Sequence, residues 1–254
     1  FMPSIPGYIY AFSNDDLYIN LFVQGAAKIK TRTNSIQIEQ TTEYPWKGEV
    51  RIRINPQKSS NFTLHIRIPG WAQNQPIPGD LCRYLETSSE KPVLKVNGEN
   101  VPINLEKGYA LVTRVWQKDD SLELNLPMPI RRVLAHDAVN ADRGRAAVER
   151  GPLVYCAEWP DNMGYVRNLV LEDGSSLSQQ FSPELLKGVT VITGKAIAFR
   201  YQGGKLVNQK QKLTLIPYYA WAHRGRGEME VWLARQKEIA QPLPEPSIAS
   251  TSKA

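Results

Sequence analysis

Apolar and polar residues alternate with a period of two through the first half of the chain. The clearest runs are 17–23, 50–54 and 62–68, in which every second residue is Leu, Ile, Val or Phe. Such alternation puts apolar side chains on one face of a strand and polar side chains on the other. Strands with one dry face and one wet face predict antiparallel sheets that stack as a β-sandwich.

A second set of strand-like segments follows Pro127-Met-Pro129 and runs from Ile130 to Leu233. Within the first set, Asn97-Gly98 predicts a two-residue hairpin turn. A helical pattern is confined to the short segment 183–187. The chain is therefore predicted to be all-β, with about eight strands, enough for one complete sandwich, before the second set begins.

The charge balance changes this picture little. The 254 residues include 31 Lys and Arg and 25 Asp and Glu, a formal net charge of +6. Most basic residues alternate with apolar ones, as Arg51 and Arg53 do, which is typical of a solvated sheet face and not of a nucleic-acid site. We therefore expect no nucleic acid as a partner. We also expect no membrane as a partner, because no apolar run approaches the about 18 residues of a membrane helix.

Both ends of the sequence suggest a part of a longer polypeptide. The chain starts with Phe1-Met-Pro and leads directly into strand-like residues, without a signal-peptide pattern. Residues 241–254 are rich in Pro and Ser, and we interpret them as a linker.

The segment 146–159 contains Glu149, Cys156 and Glu158, which are candidates for catalysis. A glycosidase needs two carboxylates about 5–10 Å apart, and an extended run would hold these two about 30 Å apart unless the chain folds back. Glu149 is expected to pair with an Arg. The apolar neighbours of Cys156 would raise its thiol pKa, which favours a core thiol. We assign no catalytic residue.

The sequence also predicts no metal site. No histidine has a Cys, Asp or Glu at ligand spacing; the three are His65, His136 and His223. The chain has two cysteines, Cys82 and Cys156, which are too few for a zinc ribbon. Whether these two cysteines form a disulfide is left open by the sequence.

Two of the six tryptophans are weak candidates for carbohydrate contact. Trp46 follows Tyr44-Pro45, and Trp71 follows Pro69-Gly70 at a strand end. Both lie in loop-like sequence, where a flat aromatic ring can stack on a sugar ring.

Three motifs in order resemble the C-terminal half of glycoside hydrolase family 127, the β-L-arabinofuranosidases with their DUF1680 relatives. They are Leu64-His-Ile-Arg-Ile-Pro-Gly-Trp-Ala72, Glu149-Arg-Gly-Pro-Leu-Val-Tyr155, and Leu215-Ile-Pro-Tyr-Tyr-Ala-Trp-Ala222 with Gly227-Glu-Met-Glu-Val-Trp232. The resemblance implies two antiparallel β-sandwich domains, the second inserted into the first. It places the first sandwich at 1–126 and 218–240 and the inserted one at 127–217, before the linker.

The resemblance also implies that the catalytic groups lie elsewhere. Family members carry a zinc-bound cysteine nucleophile and a glutamate on an N-terminal (α/α)6 barrel, and no residue of this sequence matches either motif. Zinc is therefore expected only in that catalytic barrel, which is the expected partner of this chain, and arabinose-containing glycans, such as those of plants, are expected substrates. Relatives that degrade polysaccharides suggest a periplasmic or extracellular location.

Three functional hypotheses follow. The first is a non-catalytic part of a family 127-like glycosidase that braces the barrel, with no activity of its own. The alternatives are a free-standing carbohydrate-binding module that uses Trp46 and Trp71, and a purely structural or interaction domain.

Overall fold

The computed structural model describes residues 2–245 and consists almost entirely of β-strands joined by turns. The first twelve strands are β1 (Tyr10–Ser13), β2 (Asp16–Ile19), β3 (Gly25–Lys30), β4 (Ser35–Thr42), β5 (Glu49–Pro56), β6 (Ser60–Arg67), β7 (Cys82–Tyr84), β8 (Val93–Val96), β9 (Glu99–Val101), β10 (Leu105–Glu106), β11 (Tyr109–Trp116) and β12 (Asp120–Asn125). The others are β13 (Ile130–Ala135), β14 (Arg145–Arg150), β15 (Leu153–Glu158), β16 (Leu169–Val170), β17 (Ser178–Ser182), β18 (Val189–Gln202), β19 (Lys205–Pro217), β20 (Met229–Glu230) and β21 (Leu233–Ala234).

Within residues 2–245, helical structure is limited to single turns. One α-helical turn, α1, spans Pro6–Ile9. The 3-10 turns are Met2–Ser4, Gly70–Gln73, Asn140–Asp142, Trp159–Asp161, Leu185–Lys187 and Tyr218–Ala220. The predicted all-β class is thus confirmed.

The first of two units comprises 2–78 and 87–129 within the described residues. It contains a five-stranded sheet in the order β1-β2-β6-β11-β10 and a six-stranded sheet in the order β3-β4-β5-β12-β8-β9. All pairs are antiparallel except β2 with β6, which is parallel. Apolar residues from both sheets form one buried cluster, so this unit is a β-sandwich, as predicted.

The predicted alternation is visible in the six-stranded sheet. Val50, Ile52 and Ile54 are buried, and Arg51 and Arg53 between them are exposed. The exposed face carries ion pairs, since Arg51 lies 4.0 Å from the carboxylate of Glu123 and Arg53 lies 3.7 Å from that of Glu39. The basic residues of this strand therefore belong to a solvated sheet face.

The predicted strand 17–23 is shorter in the structure. β2 ends at Ile19, and the chain then leaves the sheet. The alternation breaks at that point, because Phe22 is buried while Leu21 and Val23 are exposed. The Asn97-Gly98 hairpin forms as expected: both residues have positive φ, as a type I′ turn requires, and they join β8 to β9.

The second unit comprises 79–86 and 130–245 within the described residues and contains one ten-stranded sheet. Its pairings close into a ring, in which β14 pairs with β15, then β19, β18, β16 and β21 follow, and β21 returns to β14. The strands of this ring surround a buried apolar cluster that includes Val148, Tyr155, Ile192 and Leu213. β7, β13, β17 and β20 extend the sheet outward.

The segment that crosses from one unit to the other is not the expected one. Residues 218–240 were expected to complete the first sandwich, but β20 pairs with β15, and β21 pairs with β14 and β16, all in the second unit. Instead, the segment 79–86 leaves the first unit and adds β7 to the second, beside β13. Alternation encodes which face of a strand is buried, but not which neighbour it pairs with.

The first residues of the predicted linker are part of the second unit. Tyr201 N donates to the Leu243 carbonyl at 2.8 Å, and Gln241 N donates to the Arg167 carbonyl at 2.9 Å. The carboxylate of Glu245 accepts from Gly204 N at 2.8 Å. Residues 246–254, the rest of the predicted linker, lie outside the described residues.

Candidate functional site

Trp46 lies in an exposed turn, as its predicted role as a sugar platform requires. It sits in the turn between β4 and β5, where Trp46 N and Lys47 N both donate to the Glu43 carbonyl, at 2.9 and 3.1 Å. The residue is 54% exposed. Its ring can therefore meet a ligand in solution.

Trp71, the second predicted sugar platform, is buried and not exposed. The chain turns inward after Pro69 in a 3-10 turn, and Trp71 is only 7% exposed within the core of the first unit. Burial raises the pKa of Tyr44, and a side-chain hydrogen bond with Trp71 partly offsets that rise, so the indole contacts a second, partly buried aromatic residue. A ring in this position cannot stack on a sugar, and Trp71 is a core residue.

The segment 146–159 forms a hairpin. β14 and β15 are joined by Gly151-Pro152, with Arg150 opposite Leu153 in the register. Gly151 has φ of 57°, which fits the type II′ hairpin turn with Gly at its first central position. The chain therefore does fold back between Glu149 and Glu158, but the two carboxylates bind different partners.

Glu149 belongs to a buried cluster with Tyr84 and Arg131. The Tyr84 hydroxyl donates a short hydrogen bond to Glu149 Oε1 and accepts one from Arg131 Nη2 at 2.9 Å. The Arg131 guanidinium lies over the Tyr84 ring at 3.6 Å from its centroid, and 3.9 Å from Glu149 Oε1. The expected pairing of Glu149 with an arginine is present, with a tyrosine that the sequence did not indicate.

The protonation equilibria of this cluster follow from its burial. Burial raises the pKa of Glu149, and the Tyr84 hydrogen bond and the Arg131 charge only partly oppose that effect. Burial also raises the pKa of Tyr84, and the neighbouring carboxylate raises it further. The tyrosine therefore remains a neutral donor, and the cluster fastens β7 to β13 and β14.

Glu158 is held in a second ionic cluster, with Arg224 and Asp161. Arg224 Nε donates to Glu158 Oε2 at 3.0 Å, Nη1 donates to Asp161 Oδ1 at 2.8 Å, and Nη2 bridges both carboxylates. Glu158 is only 2% exposed and also accepts from Ala222 N at 3.2 Å. Both its oxygens are occupied in holding the loop after Tyr218–Ala220, so Glu158 is not poised as a general acid or base.

Cys156 is a core thiol, as the sequence suggested. It is fully buried on β15, and burial, reinforced by the charge of Glu158, raises its pKa to about 12. Cys82 lies on β7, and both cysteines are free. A thiol with this pKa is protonated at neutral pH and is neither an effective nucleophile nor a ready metal ligand.

None of the three histidines belongs to a group of potential metal ligands within the described residues. His65 stacks on Tyr18 with 4.1 Å between ring centroids, and His136 Nδ1 accepts from Ala138 N at 3.1 Å. Across residues 2–245, no three His, Cys, Asp or Glu side chains come together as a metal site.

One pocket of the second unit combines apolar and charged side chains. Its volume is about 510 Å³, and Val154, Tyr218 and Trp232 contribute to its lining. Arg145 and Glu230 also line it and lie 3.6 Å apart. Sequence reasoning missed this pocket because its residues come from separate segments, although 215–222 and 227–232 were singled out as motifs.

Comparisons with known proteins assign most of the chain to two domains of one family. Residues 16–128 match the family model described as β-L-arabinofuranosidase, GH127 middle domain. Residues 130–234 match the glycoside hydrolase family 127 C-terminal domain. The boundary between the two matches coincides with the end of the first unit at Pro129.

Individual relatives agree with this assignment. A non-reducing end β-L-arabinofuranosidase from Bifidobacterium longum subsp. longum is 31% identical over 91% of this chain and 35% of its own length. A solved GH127 β-arabinofuranosidase is 45% identical, with a TM-score of 0.89 over 96% of this chain and 38% of its own. A GH127 β-L-arabinofuranosidase from Geobacillus stearothermophilus T6 is 39% identical, with a TM-score of 0.78 over 91% of this chain and 35% of its own.

The chain thus spans little more than a third of the length of these relatives. No helix within the described part of the chain is both long and apolar enough to cross a membrane.

Proposed function

Because this chain belongs to glycoside hydrolase family 127, of which it spans the middle and C-terminal domains, we propose that it braces the catalytic barrel of a β-L-arabinofuranosidase-like enzyme and does no chemistry alone. The observation that carries the proposal is the match of these two domains to only 35–38% of the length of the relatives. The greater part of each relative lies outside the matched region. The barrel and its zinc belong to that part in this proposal.

The state of the candidate catalytic groups supports a non-catalytic role. Retaining glycosidases hold two carboxyl groups about 5 Å apart and inverting ones somewhat farther. Glu149 and Glu158 are each engaged by an arginine in a separate cluster. The thiol of Cys156 is buried and protonated.

The direct test is hydrolysis of an aryl β-L-arabinofuranoside by the purified chain, with and without added zinc. We expect no turnover above the rate in buffer under either condition. Turnover that depends on zinc and is abolished by a chelator would contradict the proposal. Glu149→Gln and Glu158→Gln serve as controls, because any residual rate from a contaminating enzyme would be unchanged in both variants.

The exposure of Trp46 favours a second candidate function, a carbohydrate-binding module. This function would require binding of an arabinose-containing oligosaccharide that is lost in Trp46→Ala. Calorimetric titration with arabinotriose measures it. Equal binding by the wild type and Trp46→Ala would exclude this tryptophan as the platform.

A further inference from the structure

The pocket of the second unit has the dimensions of a small-ligand site. Its volume of about 510 Å³ falls within the about 300–1,000 Å³ usual for such sites. It is formed by the 3-10 turn Asn140–Asp142, the starts of β14 and β15, the turn Tyr218–Ala220 and the chain from β20 to Trp232. Arg145, Val154, Met229 and Glu230 of the lining lie on strands of the sheet, which hold this part of the pocket in place.

One side of the pocket presents an aromatic surface to solvent. Tyr218 is 44% exposed, and Val154 beside it in the lining is 38% exposed. The ring of Tyr218 is stacked on Trp221, with 6.1 Å between centroids and 26° between planes. This stacking restrains the tyrosine, so little side-chain entropy would be lost when a ligand packs against it.

The lining also presents fixed hydrogen-bonding groups. Arg145 Nη1 donates to the Trp232 carbonyl at 3.0 Å and lies 3.6 Å from Glu230 Oε2. The other carboxylate oxygen of Glu230 lies 3.5 Å from Arg167 Nε. A guanidinium has five N–H donors, so Arg145 can make these contacts and still donate to a ligand.

The charged groups of the pocket indicate the class of ligand. Asp142 and Glu230 contribute two carboxylates to the lining and Arg145 one guanidinium, while Arg167, which is not part of the lining, pairs with Glu230 at 3.5 Å. The two carboxylates would repel an anion, and the guanidinium groups of Arg145 and Arg167 beside Glu230 offset the attraction of those carboxylates for a cation. A neutral molecule whose hydroxyls both donate and accept would meet both kinds of group, and its C–H face would pack on Tyr218.

We propose that this pocket binds a neutral sugar of one or two rings. Tyr218 supplies the stacking surface, Arg145 donates hydrogen bonds to hydroxyl oxygens, and Glu230 accepts them. The site adds glycan binding to a unit for which the proposed function is only bracing.

Calorimetric titration of the chain with arabinotriose, xylotriose and galactotriose tests this proposal, with trigalacturonic acid as the acidic counterpart. We expect at least one neutral probe to bind and the acidic one not to bind. Tyr218→Ala should weaken binding by at least about tenfold. Tyr218→Phe keeps the aromatic face and should stay within about threefold of the wild type.

Matched variants separate this pocket from other surfaces. Tyr201 is also 44% exposed in the second unit but lies outside the pocket lining, so Tyr201→Ala should bind as the wild type does. Glu230→Gln should weaken binding, with its fold checked by thermal unfolding. The proposal is overturned if no neutral probe binds, if only the acidic probe binds, or if Tyr218→Ala and Tyr201→Ala bind equally well.

Discussion

Replacement of Tyr84 by phenylalanine probes the buried cluster that fastens β7 to the second unit. The change removes only the hydroxyl, which donates to Glu149 and accepts from Arg131. Glu149 and Arg131 are 8% and 5% exposed, so water cannot readily replace the lost partner. The Tyr84→Phe variant therefore leaves a buried carboxylate and a buried guanidinium each with one hydrogen bond fewer.

The expected loss of stability can be estimated from these two bonds. A hydrogen bond to a charged group contributes about 1.5–3 kcal/mol. The two bonds share one hydroxyl, and the ion pair between Arg131 and Glu149 at 3.9 Å remains, so we expect a total loss of about 2–4 kcal/mol and not the full sum. With a urea m-value of about 2 kcal/mol/M, the middle of the usual range, the unfolding midpoint should fall by about 1–2 M.

The assay must follow the second unit by itself. Urea unfolding monitored by hydrogen exchange in peptides from β13 and β14 does so. Tyr201→Phe is the control, because that tyrosine is exposed, and its loss should stay within about 0.5 kcal/mol. If Tyr84→Phe were as stable as Tyr201→Phe, the cluster would not hold β7 in place.

The same cluster predicts a pH dependence. Because burial raises the pKa of Glu149 in the folded state, the folded protein holds this proton more tightly than the unfolded chain. The contribution of this group to stability is complete below its unfolded pKa, about 4.3, and is lost as pH rises through the folded pKa. Glu149→Gln should flatten this part of the curve of unfolding free energy against pH, whereas an unchanged slope would contradict the assignment.

Three further predictions concern the core. Trp71→Ala should lower the free energy of unfolding of the first unit by about 3–5 kcal/mol, because Trp71 is a buried aromatic residue. Trp46→Ala should lower it by less than about 0.5 kcal/mol, because Trp46 is exposed. Equal losses in urea unfolding would contradict the burial of Trp71. Gly48→Ala should strongly reduce the yield of folded protein, because the added Cβ would overlap a main-chain carbonyl oxygen; a variant with a wild-type melting temperature would refute this. In a thiol-labelling time course without denaturant, Cys156 should react only on unfolding, whereas Cys82, which is partly exposed, should react first; labelling of both at one rate would show that Cys156 is accessible.

Much of the fold follows from the alternation of residue types. Val50, Ile52 and Ile54 point inward as predicted because a strand with one apolar side gains free energy only when that side is buried. The pairing partner of a strand is a long-range property, which explains why the positions of β20 and β21 were not predicted.

The candidate sites show the same limit. The apolar sequence around Cys156 was sufficient to predict a raised thiol pKa, since burial is a local consequence of that pattern. Trp71 was misjudged because a 3-10 turn after Pro69 directs it inward, and the sequence on either side does not encode that direction. Tyr84 was missed as a partner of Glu149 because the crossing segment 79–86 brings it from a distant part of the chain.

The bracing role can be tested most directly with a chimera. This chain would replace the corresponding part of the solved GH127 β-arabinofuranosidase to which it is 45% identical. The measurement is the rate at which the chimera hydrolyses an aryl β-L-arabinofuranoside, compared with this chain alone. Our account predicts that the chimera is active and the chain alone is not. Activity of the chain alone, or a well-folded chimera without activity, would contradict it.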